Sequence, residues 1–242
     1  MIFRQYLHTL PAIGASYLLG CGGQASAAIV DPMGSTQPYL EDAARLGVQI
    51  LYIIDTHVHA DHRSSSLELA ATTGAKYVLH KSVNAEFTYH AVSDGEQLEL
   101  GNVLLTLWHT PGHTPEHLSV LVTDRTRALE PWMILTGHTL MIGDLGRTEL
   151  ASSAEVGAKD LFQTAQRLKT LPDHLEIYPG AYSGSVCGRG LSGKAVSTIG
   201  FEKRFNQTFA IDSEAEFIAR MIKEIPPRPE GFAEFRAKNL AG

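Results

Sequence analysis

Only two cysteines, Cys21 and Cys187, occur in 242 residues, so no disulfide framework can organise the chain and a reducing, cytoplasmic setting is expected. Long apolar runs are missing too. None approaches the roughly 20 consecutive residues needed to cross a bilayer, so no membrane is expected as a partner. Nor is there a block of one charge sign. The 20 Lys and Arg and 26 Asp and Glu are interspersed and leave a formal net charge of −6. No basic stripe can follow a phosphate backbone, and nucleic acid is not an expected partner. Leu18-Leu19-Gly20-Cys21 has the look of a lipoprotein cleavage site, but Arg4, Gln5, His8 and Pro11 break the apolar stretch that such a signal needs. Gly20-Cys21-Gly22-Gly23 reads better as a turn between two strands. Repeats and linkers are absent as well, so residues 1–242 are expected to form a single domain, helical from about residue 207.

What is present is a 44% hydrophobic share, enough for a substantial core. Short apolar runs at 15–19 and 27–30 flank the Gly-rich turn and predict a hairpin. Ser35-Thr36 and Pro38 start a helix with Leu40, Ala43, Ala44 and Leu46 on its apolar face, and Gly47 ends it. Val48 to Ile54 is a continuous apolar run, the mark of a buried strand. A helix over 64–73 and a strand over 76–79 follow. Residues 97–108 alternate around Gly101-Asn102, and 117–123, 132–136 and 176–178 predict further strands. A helix is expected over 157–170. Another follows the capping box Ser213-Glu214-Ala215-Glu216, with Phe217, Ile218, Met221, Ile222 and Ile225 on one face. Strands alternating with helices point to an α/β unit whose sheets are covered by helices.

The chemistry concentrates just after the buried strand, at Asp55-Thr56-His57-Val58-His59-Ala60-Asp61-His62. Imidazole nitrogens and carboxylate oxygens suit Zn²⁺ and Fe²⁺, and a tight loop can aim several at one point. The plain alternative is a polar loop whose histidines cap nearby backbone; three imidazoles and a carboxylate within six positions favour metal. His113 lies in a second loop at a strand end, stiffened by Pro111, and Gly137-His138 ends a third strand. His8, His80, His90, His109, His117 and His174 have no partner by spacing and read as structural or exposed.

The combination His57-x-His59-x-Asp61-His62, Thr110-Pro111-Gly112-His113-Thr114 and Thr136-Gly137 resembles the metallo-β-lactamase superfamily. Gly143-Asp144-Leu145-Gly146-Arg147, Tyr178-Pro179-Gly180, Gly184-Ser185-x-Cys187-Gly188 and the segment from Thr198 to Asn206 look like the persulfide dioxygenases and their glyoxalase II relatives. The likeness runs from about Ala15 to Asn206. It implies an αββα sandwich, two mixed β-sheets flanked by helices, with metal at one sheet edge. It also implies iron ligands at His57 and His113. Two positions depart from the pattern: His138 stands where an aspartate ligand is usual, and Ala181 where a histidine is usual. A binuclear zinc site is therefore not expected. One Fe²⁺ on His57, His113 and His138 is, with one Zn²⁺ on His57, His59 and His113 as the alternative.

Asp61 and His62 are then candidates for proton transfer or for orienting a bound water, or else polar supports. Tyr182, Arg189 and Lys203, with Lys194 and Arg204 nearby, are candidates to meet a glutathione-like substrate. Asp144 and Arg147 read as a turn and ion pair, and Cys187 as a packed thiol. The resemblance implies oxidation of a small persulfide by O₂ to sulfite. A zinc-dependent thioester hydrolase and a degenerate metal-binding homologue are the alternatives. A homodimer is compatible with these features.

Overall fold

In the computed structural model, which describes residues 1–223 and 225–242, the N-terminal third builds one sheet. β1 (Ile2–His8) pairs antiparallel with β2 (Gly14–Cys21), Ile2 lying opposite Gly20 and His8 opposite Gly14. A single 3₁₀ turn over Gly22–Gln24 then leads to β3 (Ser26–Val30), also antiparallel to β2. The stretch resembling a cleavage site is thus a fully buried strand. Helical crossovers α1 (Gln37–Leu46) and α2 (Ser66–Thr73) bring in β4 (Gln49–Ile54) and β5 (Lys76–His80) parallel to their neighbours, and a loop over 81–89 brings β6 (His90–Val92) parallel to β5.

The second sheet also has six strands, ordered β12-β11-β10-β9-β8-β7. β7 (Glu96–Leu100), β8 (Val103–His109), β9 (Leu118–Asp124) and β10 (Met133–Gly137) form an antiparallel meander. After α3 (Ala154–Lys169), β11 (Glu176–Pro179) returns parallel to β10, and β12 (Ser197–Thr198) closes the edge. Three helices follow: α4 (Ile199–Phe205), α5 (Glu214–Lys223) and α6 (Phe232–Ala241).

Strand periodicity divides the core into layers. Tyr17, Leu19, Ala28 and Val30 face Leu105, Leu107, Leu118 and Val120 between the sheets. Leu18 and Ile29, one residue out of phase, pack outward with Tyr39, Ala43 and Leu69 of α1 and α2. On the other flank Leu121, Ile134 and Ile177 meet Leu161, Phe162, Phe217 and Met221 of α3 and α5. These layers make an αββα sandwich. No helix among the described residues is long and apolar enough to cross a membrane.

Four elements escape the sequence pattern: β1, β6, β12 and α4. β1 is a half-buried edge strand carrying Arg4, Gln5 and His8, and β6 and β12 have three and two residues, too few for periodicity to register. α1 is also rotated from expectation: it buries Tyr39 and Ala43 and leaves Ala44 exposed. On the expected apolar face of α5, Phe217 and Met221 are buried, whereas Ile222 stays 39% exposed.

Gly112 is the point where the second histidine loop rests on α3. It sits at φ +140°, and a Cβ there would lie 2.5 Å from Leu161 Cβ and 2.6 Å from its Cα. Gly112→Ala is therefore expected to cost about 2–4 kcal/mol through backbone strain and overpacking. Urea unfolding checks this, and a change under 0.5 kcal/mol would contradict the packing described.

Candidate metal centre

The rings of His57 and His113 are each oriented through Nδ1, which leaves Nε2 to face inward. Asp31, at the end of β3, accepts from Thr56 N (2.7 Å) and Thr56 Oγ1 (2.8 Å). Because the Thr56 hydroxyl donates to Asp31, it accepts from His57 Nδ1 at 2.9 Å, which puts the His57 lone pair on Nε2. His113 Nδ1 donates to the Arg147 carbonyl at 2.7 Å, again leaving Nε2 as the free acceptor. His138 is set by its backbone N–H, which donates to His117 Nε2 at 3.1 Å; His117 Nδ1 in turn faces the Thr110 and Thr139 hydroxyls. Donor atoms of His57, His113 and His138 lie within 4.8 Å of one another, all buried. His113 Nε2 and His138 Nδ1 are 3.4 Å apart, the spacing of two nitrogens that each stand about 2.1 Å from one tetrahedral ion.

A second donor set adjoins the first: His59, Asp61 and His62, also within 4.8 Å. His59 gives Nε2 to Asp31 (3.2 Å) and turns Nδ1 toward Asp61 Oδ1 (3.9 Å), while His62 Nδ1 bonds Asp61 Oδ1 at 2.9 Å. His57 Nε2, His59 Nδ1 and His62 Nε2 are buried without any hydrogen-bond partner. Each such orphan costs about 1–3 kcal/mol. A cation that takes the lone pairs of His57 and His62, and displaces the Nδ1 proton of His59, removes this cost, so the residues present fit a metal ion.

The electrostatics agree. Burial, with the neighbouring imidazoles, holds His57 well below the usual histidine range and pushes His113 down to about 3. Both rings are thus neutral and ready to ligate without releasing a proton. Burial also works against charge on His59, but Asp31 outweighs it and raises His59 to about 9. Burial raises Asp61 less than His62, His138 and His59 lower it, so its carboxyl stays well below the usual range.

Of the residues expected to meet substrate, Tyr182, Arg189 and Lys203 each have a partner within the chain. Tyr182 donates to the His8 carbonyl at 2.8 Å. Arg189 forks onto Asp144, and Lys203 binds Asp173 and the Leu171 carbonyl. Asp144 and Arg147, expected to pair with each other, take different partners: Arg147 joins Glu149 and the carbonyls of Val186, Pro226 and Pro227. Ala181 is fully buried and offers no donor.

Sequence reasoning missed Asp31, His117 and Asn239. Asn239 on α6 clamps the first loop: its Nδ2 donates to the His59 and His62 carbonyls at 2.9 Å each, and its Oδ1 accepts from Ser64 N at 3.1 Å. Arg236, one turn earlier, binds the Val58 carbonyl and Glu116. Asn239→Ala is expected to weaken metal binding about 10- to 100-fold, the usual effect of releasing a ligand's support. Chelator competition measures this, and an unchanged affinity would show the clamp to be dispensable. A cavity of about 230 Å³ reaches Asp61 between Pro11, Ile13, Val186 and Pro229. A larger groove of about 440 Å³ beside Phe201 and Phe205 is lined by none of these histidines.

Residues 10–180 match the family model of the metallo-beta-lactamase superfamily. The chain belongs to this superfamily. Within it, the chain is 30% identical over 220 residues to the mitochondrial persulfide dioxygenase ETHE1 of Homo sapiens, covering 89% of this chain and 78% of that protein. It is 28% identical over 241 residues to a hydroxyacylglutathione hydrolase of Polaromonas, covering 89% and 88%. The crystal structure of ETHE1 from Myxococcus xanthus superposes with a TM-score of 0.86 at 30% identity, over 100% of this chain and 99% of that one. The two mixed sheets flanked by helices are those of this superfamily's fold.

Proposed function

We propose that this metallo-beta-lactamase homologue oxidises a low-molecular-weight persulfide, with glutathione persulfide as the test case, to sulfite using O₂. The observation that carries the reading is the likeness to persulfide dioxygenases over nearly the whole chain. The buried face of His57, His113 and His138 supports it. In this reading these three rings hold one Fe²⁺, with Zn²⁺ as the alternative. Bound there, the ion would supply adjacent open positions for substrate sulfur and O₂ and a path for electrons between them. The overall change is R–S–SH + O₂ + H₂O → R–SH + SO₃²⁻ + 2 H⁺. The S–S bond breaks, the outer sulfur is oxidised and O₂ is reduced.

The chain's own residues have defined tasks. Thr56 and the Arg147 carbonyl hold the rings of His57 and His113 with Nε2 inward. Asp61, held ionised beside the cavity and bonded to His62, is placed to accept a hydrogen bond from a bound water or substrate group and so orient it. Pro11, Ile13, Val186 and Pro229 give the mouth an apolar rim that limits water. The test is oxygen uptake and sulfite formation by iron-loaded protein with glutathione persulfide. Uptake no greater than that of metal-free protein would sink the reading.

A second reading has its own support in the donor set His59, Asp61 and His62 and the hydroxyacylglutathione hydrolase relatives. It is a zinc-dependent thioester hydrolase. Thioester turnover by zinc-loaded protein, independent of oxygen, would favour it over oxidation. A chain that binds neither metal stoichiometrically would instead be a degenerate homologue.

A further inference from the structure

The cavity that reaches Asp61 is small and carries charge of one sign. Its volume is about 230 Å³, below the roughly 300–1,000 Å³ usual for small-molecule sites. Three segments wall it, residues 11–13, 184–186 and 229–230. Its ionisable lining groups are both acids: Asp61, with a side chain 5% exposed, and Glu230, which is exposed. No lysine or arginine among the described residues lines it. The cations closest to it in sequence or by expectation are engaged elsewhere. Arg189 forks onto Asp144, Lys203 holds Asp173, and Arg228 lies over the Phe232 ring at 5.6 Å. Arg147 pairs with Glu149 and spends its remaining donors on the walls, bonding the carbonyls of Val186 (3.2 Å), Pro226 (2.8 Å) and Pro227 (3.0 Å). One buried guanidinium thus ties two of the three walls together and fixes the width between them.

We propose that this cavity takes the organic part of a short, positively charged persulfide, of the aminothiol class, and selects against anionic persulfides such as that of glutathione. A short methylene chain fits the apolar rim of Pro11, Ile13, Val186 and Pro229. An ammonium at its end meets the Glu230 carboxylate in a charge-assisted hydrogen bond. A carboxylate at the same place is repelled by Glu230 and finds no cation to replace the water it gives up. Glutathione brings two carboxylates and a tripeptide's bulk, and both count against it here. The choice of a persulfide as ligand rests on the dioxygenase reading; the charge preference is measured without turnover.

The test uses the full chain loaded with metal and two thiols of matched length, cysteamine and 3-mercaptopropionate, titrated calorimetrically at low salt. Because the thiols differ in acidity as well as in tail charge, the quantity read is the change in their Kd ratio on substitution. Glu230→Lys should move that ratio toward the anion about 10-fold, and Glu230→Gln about 3-fold, both shifts shrinking as salt is added. An unmoved ratio overturns the proposal. If Glu230→Lys fails to fold, Glu230→Gln, a near-isosteric change at an exposed position, decides. The persulfides of the same two thiols supply a second reading, since their kcat/KM ratio should follow the Kd ratio. A natural protein that turns over glutathione persulfide more efficiently than cysteamine persulfide also overturns the proposal. Oxygen uptake with both persulfides and an unmoved ratio would sink the charge selection and leave the dioxygenase reading standing. A moved ratio with no oxygen uptake from either would do the reverse.

Discussion

Replacing His57 with leucine is expected to abolish stoichiometric iron binding and persulfide-dependent oxygen uptake, with little change in the stability of the metal-free fold. A structural zinc site contributes roughly 10–16 kcal/mol through four ligands. On that scale one ligand is worth about 3 kcal/mol, or about 100-fold in affinity. The effect on the metal-free fold is smaller because two changes oppose each other. Leucine gives up the bond from Nδ1 to Thr56, but it also removes Nε2, a buried nitrogen with no partner. The net change is about 1 kcal/mol or less. A structural histidine would behave in the opposite way, with intact metal binding and a damaged fold. Elemental analysis after dialysis against a metal buffer, alongside urea unfolding of the metal-free protein, separates the two. Unchanged iron content would remove His57 from the ligand set.

Asp31→Asn is the second large effect, and it acts on stability and pH dependence together. Asn keeps the shape and tolerates the left-handed backbone at this position, where φ is +49°. What it loses is charge, at a site where the carboxylate accepts from Thr56 twice and pairs with His59 at 3.2 Å. Breaking a buried pair by removing one partner costs about 3–5 kcal/mol. The sign with pH follows from His59, raised from 6.5 to about 9 when metal is absent. A raised histidine contributes stability that is full below pH 6.5 and lost as pH climbs through about 9. The metal-free protein should therefore lose stability over that alkaline window, and Asp31→Asn should flatten the loss. Below pH 6.5 the slope reverses, because His57 and His113 are held neutral by burial and resist protonation. Urea midpoints from pH 5 to 10 read both limbs, and an alkaline limb unchanged by the substitution would refute the pairing.

The elements that were legible in the sequence are those whose signal is local. Gly47 and Gly74 end α1 and α2 in left-handed conformations, as their positions imply. The run before His57 is β4, and alternation around Gly101 is the β7–β8 hairpin. β1 was hidden because an edge strand buries only part of itself and carries polar residues freely. His117 reads as unpartnered because its partners, the backbone N–H of His138 and the hydroxyls of Thr139 and Thr110, lie 21, 22 and 7 residues away and match no ligand spacing. Asn239 is 180 residues from the carbonyl of His59 that it holds, and no periodicity encodes such a contact.

By itself, then, the sequence determined the superfamily, the α/β architecture and the loop that carries His57, His59, Asp61 and His62. Dense donors after a buried strand have a chemical meaning that does not depend on distant partners. Only the tertiary structure decided which lone pairs face inward, through Asp31, Thr56 and the Arg147 carbonyl. It also decided that Cys187, unremarkable in a Gly-rich loop, stands against Asp61, and that Arg189 and Lys203 are paired with other acids. Which nitrogen of a ring is free, and which charge is already neutralised, depends on groups brought together by folding across long stretches of chain.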